Sequence, residues 1–413
     1  MSKAEKLNND ASESVVMEER NVRREGRNLR IAQRERNDEF YTCLPYIQSE
    51  MNNYTDKFEN KAVFCNCDDP FESNFVKYFL MNFNRLKLKE LIATGYKSSP
   101  IIGDEFGTNS FPYILRVKST KEYLVGTQSD LDSRGSKYFL ECEKQRITSP
   151  LFGDEDHEPG DFRSKESIEL LKESDIVVTN PPFSLFREFI AQLMLYGKKF
   201  IILGNMNAIT YKEVFPLLQT GKLWIGYGFN MSLVFKTQYP NLLEANRKFV
   251  IQHGYNPDEG YVKTPAICWY TNVDHLKRHQ LLTLNLGYKY YGHENMYKRF
   301  YNFDGINVDK VNEIPCDYDG IMGVPITWLD KFCPEQFEII GLGIANLGLT
   351  VGVRPYEEKH RIYRKTVQKK GTVDGDLYMV DENDNPVVPY ARILIKFKDS
   401  YIESHQEQFE RSK

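Results

Sequence analysis

From Lys61 onward the chain repeats one unit: a short, wholly apolar run, then a segment with apolar residues at helical spacing. Ala62-Val63-Phe64-Cys65, Leu91-Ile92-Ala93-Thr94, Asp175-Ile176-Val177-Val178-Thr179 and Phe200-Ile201-Ile202-Leu203 read as strands. Residues 74–83, with Phe75, Tyr78, Phe79 and Met81, read as a helix, as do 167–171 and 185–196. Strands that are apolar throughout and alternate with helices predict an α/β fold, a mostly parallel sheet with helices on both faces. Ligands in such sheets bind beyond the carboxyl ends of the strands, so the residues just after each strand are the candidates for chemistry.

The alternation breaks in two places. Residues 98–150 are rich in Gly, Ser and Asp and carry two further strand-like runs, 113–117 and 122–125, which predict an inserted hairpin. Beyond 228, turn-rich polar segments separate isolated strands at 266–270 and 391–395. Three regions are expected: a basic arm over 1–36, a core over 37–227 holding the insertion, and 228–413 with the rest of the sheet and further elements.

At 413 residues and 41% hydrophobic content, the chain can build one large α/β domain with additions, or two domains. Seven cysteines are scattered without a CxxC pair, which predicts neither a metal site nor a disulfide framework and suits a reducing cytoplasm. No apolar run reaches the length of a membrane span. The net charge is −4, so any nucleic-acid surface must be locally basic. Two segments are. Residues 18–36 hold seven arginines against four glutamates, with Arg20, Arg23, Arg24, Arg27 and Arg34 near one helical face that Gly26 weakens. Residues 351–371 hold Arg354, Lys359, Arg361, Arg364, Lys365, Lys369 and Lys370 against Glu357 and Glu358, interleaved with Tyr356, His360 and Tyr363. Tyr288, Tyr290, Tyr291, Tyr297, Tyr301 and Phe303 add aromatic faces nearby. Phosphate and base contacts fit this mixture; so does a solvated charged loop with ordinary surface aromatics.

The sharpest motif follows the third strand: Asn180-Pro181-Pro182-Phe183. An exocyclic amino group is a poor nucleophile because its lone pair is delocalised into the ring. Two acceptors for its hydrogens stabilise the charge that develops as a methyl group arrives. The Asn180 side-chain oxygen and the Pro181 carbonyl can be those acceptors. Pro182 stiffens the loop, and Phe183 offers a face for an extruded base. Asn-Pro is also a plain turn signal; the buried strand before it and the amphipathic helix after it favour chemistry. A cofactor would sit on the neighbouring strand ends. Asn66, Asp68 and Asp69 follow the first strand, and Ser73 or Asn74 can cap the next helix. Asp161 and Phe162 precede another helix, where Asp161 could accept from a cofactor amine and Phe162 pack on its ring. Phe40, Tyr41 and Thr42 could close over the site, or Phe40 could staple a helix start.

Together these segments resemble the EcoRI-type adenine-specific DNA methyltransferase family. The likeness is carried by Asp38-Glu-Phe-Tyr-Thr42, Cys65-Asn-Cys-Asp-Asp-Pro70, Gly160-Asp-Phe-Arg-Ser164 and the run from Ser174 to Arg187. It continues through 209–215, 304–308, 320–327, 334–338 and 392–396. The resemblance implies an S-adenosylmethionine-dependent fold and methyl transfer to adenine N6 in a palindromic site of double-stranded DNA. It implies a monomer acting beside a cognate restriction endonuclease. It gives catalysis to Asn180, Pro181, Pro182 and Phe183. It places the cofactor near Phe40, Tyr41, Thr42, Asn66, Asp68, Asp69, Asp161 and Phe162. The local charge of 351–371, apart from the resemblance, offers Arg354, Lys359, Arg361, Arg364 and Lys365 as DNA contacts. The usual glycine-rich loop is replaced by residues 67–74, and no acidic residue follows the second strand. Methylation of an RNA base, of cytosine N4 or of a protein glutamine amide stays open, as does a non-catalytic DNA-binding protein on the same fold.

Overall fold

A computed structural model describes residues 41–70, 73–95, 113–118, 147–237, 247–288 and 296–410. The first strands are β1 (Tyr41–Thr42), β2 (Ala62–Cys65), β3 (Glu90–Thr94), β4 (Tyr113–Lys118) and β5 (Ile147–Pro150). Next come β6 (Ile176–Thr179), β7 (Lys199–Asn205), β8 (Trp224–Ile225), β9 (Met231–Lys236) and β10 (Tyr261–Thr271). They form a sheet in the order β1-β9-β10-β7-β6-β2-β3-β4-β5, with β8 paired to β10. The central strands β7, β6, β2 and β3 are parallel. Both flanks are antiparallel. Every residue of β2, β3 and β6 is buried, which is why these runs show no polar alternation.

The helix Asn74–Asn82 carries the chain from β2 to β3, and Phe186–Leu195 carries it from β6 to β7. Parallel crossovers are right-handed, and these two run in opposite directions across the sheet. They therefore cover opposite faces. The first buries Phe75, Val76, Tyr78 and Phe79; the second buries Phe186, Phe189, Ile190 and Leu193. The reversal of direction falls between β2 and β6, and their carboxyl ends open onto the crevice expected to bind a ligand.

The expected insertion adds β4 and β5 to one edge, paired from Tyr113↔Pro150 to Arg116↔Ile147. The other expected run, 122–125, lies outside the described residues, as does the basic arm over 1–36. Only the end of β10 was legible as a strand. A bulge between Thr264 and Ile267 shifts its register, so the alternation along 261–271 is broken.

Two compact units divide the chain. One comprises the residues up to Asn205 with Asn230–Trp269; the other comprises Met206–Phe229 with Tyr270–Lys413. The second contains β11 (Ile306–Asn307), β12 (Met322–Pro325), β13 (Phe337–Leu342), β14 (Met379–Val380), β15 (Pro386–Val387) and β16 (Arg392–Phe397). A four-stranded sheet runs β11-β12-β16-β13, and β14 pairs with β15. Phe337 stacks on Phe397 at 4.7 Å and meets the edge of Trp328 at 5.5 Å in its core. No helix among the described residues is long and apolar enough to cross a membrane.

Candidate active site

The ladder between β2 and β6 runs through Val63↔Ile176 and Phe64↔Val177 and stops there. On the outer sides pairing continues, to Cys65↔Ala93 and to Thr179↔Ile202. The two strands therefore part at their carboxyl ends. Residues 66–69 enter the opening from one side, and residues 179–183 from the other. Side chains bridge it. The Thr179 hydroxyl accepts the Cys67 amide N–H at 3.2 Å and donates to the Asp68 carboxylate. Ser73 donates to the same carboxylate at 2.7 Å, while capping its helix by accepting from Phe75 N–H at 3.0 Å. The Asn180 backbone N–H is a further donor to Asp68. Burial outweighs these donors and pushes the Asp68 carboxyl up to about 7. Behind it, the exit of β3 passes so close that a Cβ on Gly95 would lie 3.0 Å from the Asp69 Cα.

The surroundings hold buried polar atoms with nothing to bind. Thr42 Oγ1, Asn66 Nδ2 and Thr94 Oγ1 have no hydrogen-bond partner among the described residues. Asn66 and Thr94 flank the Asp68 loop, since Asp68 N–H donates to the Thr94 carbonyl at 3.1 Å. Thr42 is tied to the same helix start, because its carbonyl accepts from Asn74 Nδ2 at 2.9 Å. An orphaned buried polar group costs about 1–3 kcal/mol, so those of Asn66 and Thr94 beside the Asp68 loop call for an explanation such as a polar ligand.

Asp161 lies near enough to Cys67 to help burial and Asp68 hold its thiol protonated. Its carboxylate is gripped by Arg163, whose Nε and Nη2 donate at 3.0 and 2.8 Å. Arg163 Nη1 reaches Glu188 at 2.8 Å, which anchors the segment to the helix after the Asn-Pro-Pro-Phe loop. Phe162 is buried edge-on against Phe189 at 5.0 Å and supports Asp161 from within the core, with its ring turned away from solvent. Tyr41 pairs with Lys236 in β1 and β9. Phe40 lies outside the described residues.

Asn180 is half-buried at the exit of β6 and Pro181 is buried. Leu185 N–H donates to the Pro182 carbonyl at 3.0 Å, closing the short turn Phe183–Leu185 that leads into the next helix. The Phe183 ring is 5% exposed, so the resting loop shows a base only a sliver of its face.

A family model described as adenine-specific methyltransferase EcoRI matches residues 28–398. The chain belongs to this methyltransferase family. It is 39% identical to the Type II methyltransferase M.EcoRI of Escherichia coli over 90% of the chain and 96% of that protein. It is 36% identical to the Type II methyltransferase M.MpnI of Mycoplasma pneumoniae over 75% of the chain and 83% of that protein. No solved structure matches. In this EcoRI-type methyltransferase the described residues contain no cluster of His, Cys, Asp and Glu that could hold a metal. Ser73, expected as a helix cap, is one. Thr179 and Thr94 are the site residues that sequence reasoning did not single out. Their partners lie in other segments, and a lone hydroxyl at a strand end has no signature.

In the second unit, the expected DNA-binding cations divide. Lys359 pairs with Asp384 at 2.6 Å and Arg361 with Asp374 at 2.7 Å. Arg354 donates to the Tyr301 carbonyl at 2.7 Å, and Arg364 to Gln368 Oε1 at 2.9 Å. Lys365, Lys369 and Lys370 form no ion pair among the described residues; with Arg361, Gly371 and Thr372 they line an open concavity of about 500 Å³. Several of the aromatics pack on one another. Tyr356 stacks on Tyr378 at 4.4 Å, Tyr301 on Tyr378 at 5.5 Å, and Tyr288 on Tyr297 at 5.5 Å. Tyr290 and Tyr291 lie outside the described residues.

Proposed function

We propose that this chain methylates N6 of an adenine at a specific sequence in double-stranded DNA, with S-adenosylmethionine as the donor. One observation carries the reading most. The Asn-Pro-Pro-Phe loop and the Asp68 loop, beside which Asn66 and Thr94 hold orphaned buried polar atoms, leave the sheet side by side where β2 and β6 part. Bound there, the cofactor would supply an electrophilic methyl group. Asn66, Thr42 and Thr94 are the residues with unmet hydrogen bonds to offer it, and Asp68 and Asp69 supply negative charge for its amine. Asp161, held by Arg163, accepts from its adenine.

The target adenine leaves the helix stack to reach the crevice. Asn180 Oδ1 and the Pro181 carbonyl accept its two amino hydrogens. They raise electron density on nitrogen as the new C–N bond forms and the donor's C–S bond breaks, and the proton that the nitrogen then loses passes from these acceptors to water. Phe183 sits at the loop's far end and needs a small opening to present its ring to the base. Lys365, Lys369 and Lys370 supply phosphate contacts, because their charge is not already neutralised within the protein. The chain acts as a monomer, and its methylation protects DNA from an endonuclease that cuts the same sequence.

Tritium transfer from labelled S-adenosylmethionine to DNA, RNA and protein, followed by sequencing of modified bases in DNA from expressing cells, tests this. Label on DNA at N6 of adenine in one short motif is the expected result. Label on RNA or protein, or on cytosine, would overturn it.

A further inference from the structure

We propose that Thr179 is a positioning residue for methyl transfer: its hydroxyl locks the cofactor loop to the catalytic loop across the parted ends of β2 and β6. The inference rests on the methyltransferase reading above and deepens it.

In-line transfer needs the methyl carbon and the acceptor nitrogen within about 3–3.5 Å, and small misplacements are costly. The two partners are held by different loops, residues 66–69 and residues 180–183. Backbone pairing between β2 and β6 cannot set the spacing of these loops, because it ends at Phe64↔Val177. What bridges the remaining distance is the Thr179 hydroxyl. It takes the Cys67 amide and gives its own proton to Asp68. Asp68 in turn holds the Asn180 amide and the Ser73 hydroxyl at the helix start. One buried carboxylate thus ties the residue that meets the base to the loop that meets the cofactor. A carboxylate accepts about four hydrogen bonds, and the protein already uses three, so about one site remains for a ligand amine. Thr179 also favours the ionised form of Asp68. Loss of its hydroxyl must therefore shift the proton affinity of that group as well as the geometry.

The test compares Thr179→Val, which removes the hydroxyl at equal volume, with Thr179→Ser, which keeps it. Thermal unfolding, S-adenosylmethionine affinity by calorimetry, and kcat against pH are measured for each. The Val variant is expected to lose about tenfold or more in kcat at neutral pH, the size of one lost hydrogen bond read in the barrier. The acid limb of its pH profile should move to higher pH, and the Ser variant should restore both. A Val variant within twofold of the parent with an unmoved acid limb overturns the proposal. So does a Ser variant as poor as Val. If the Val variant does not fold, Ser73→Ala, which removes another donor to Asp68, should move the acid limb the same way; an unmoved limb then overturns it. An unmodified parent enzyme that transfers no methyl group would instead overturn the underlying function.

Discussion

The Asp175 carboxylate accepts the Ala62 amide N–H at 2.8 Å, and the Asp175 amide donates back to the Ala62 carbonyl at 2.9 Å. This reciprocal pair clamps the start of β6 to the start of β2. The acidic residue that opens the motif strand thus lies at the end of the strand remote from Asn180. Its work is structural. Asp175→Ala should cost about 1 kcal/mol of stability by removing one side-chain hydrogen bond, and leave kcat unchanged. Denaturant unfolding and steady-state rates measured together check both halves.

Asn180 has the opposite profile. Asn180→Ala removes one acceptor for the developing charge while leaving the crevice intact. Methyl transfer should fall about 10²–10³-fold with cofactor affinity within a few-fold of the parent, as for loss of one aimed group in a preorganised site. Wild-type rates in that variant would refute the role.

Asp68 gives a pH signature. Burial raises its carboxyl from the ordinary 3.8 to about 7 in the ligand-free protein. The folded state therefore binds a proton that the unfolded state releases. Its contribution to stability is present below about pH 4 and is lost progressively up to about pH 7. A cationic ligand favours the carboxylate and reverses this. Cofactor binding should tighten as pH rises towards about 7 and release a proton below that value. Calorimetry in two buffers of different ionisation enthalpy counts that proton; zero release near pH 6 would be the contrary result.

Arg163 holds Asp161 by two hydrogen bonds and is itself braced by Glu188. Arg163→Met should release the Asp161 carboxylate and weaken S-adenosylmethionine binding by about tenfold, with a smaller effect on kcat at saturation. Equal affinity in the variant would separate Asp161 from cofactor recognition.

On the basic concavity, Lys365→Gln, Lys369→Gln and Lys370→Gln should each weaken binding to all DNA sequences alike. Each should lower the slope of log K against log salt by about 1. Lys359→Gln should change the slope less, because Asp384 already neutralises that cation at 2.6 Å. A change in sequence preference with an unchanged slope would point to base reading instead.

Much of the catalytic unit was legible beforehand, for a physical reason. A wholly apolar four-residue run such as Ile176-Val177-Val178-Thr179 is stable only as a buried strand, and Asn180-Pro-Pro-Phe183 must then emerge at its carboxyl end. The basic segment was legible only in part. Charge along 351–371 is visible in the chain, but Asp374 and Asp384, which neutralise Arg361 and Lys359, lie beyond it. Phe162 and Phe183 read as candidate platforms, and only the fold shows that both side chains are buried at rest.

The sequence by itself determined the four central strands, the helices that follow two of them and the loop that carries Asn180, because periodicity and turn chemistry are local properties. Only the tertiary structure decided that β2 and β6 are neighbours that part before their ends. It alone brought the Thr179 hydroxyl to Cys67 and Asp68, 112 and 111 residues away along the chain. Hydrogen bonds across such separations follow from sheet order, and sheet order leaves no period in the residues that form it.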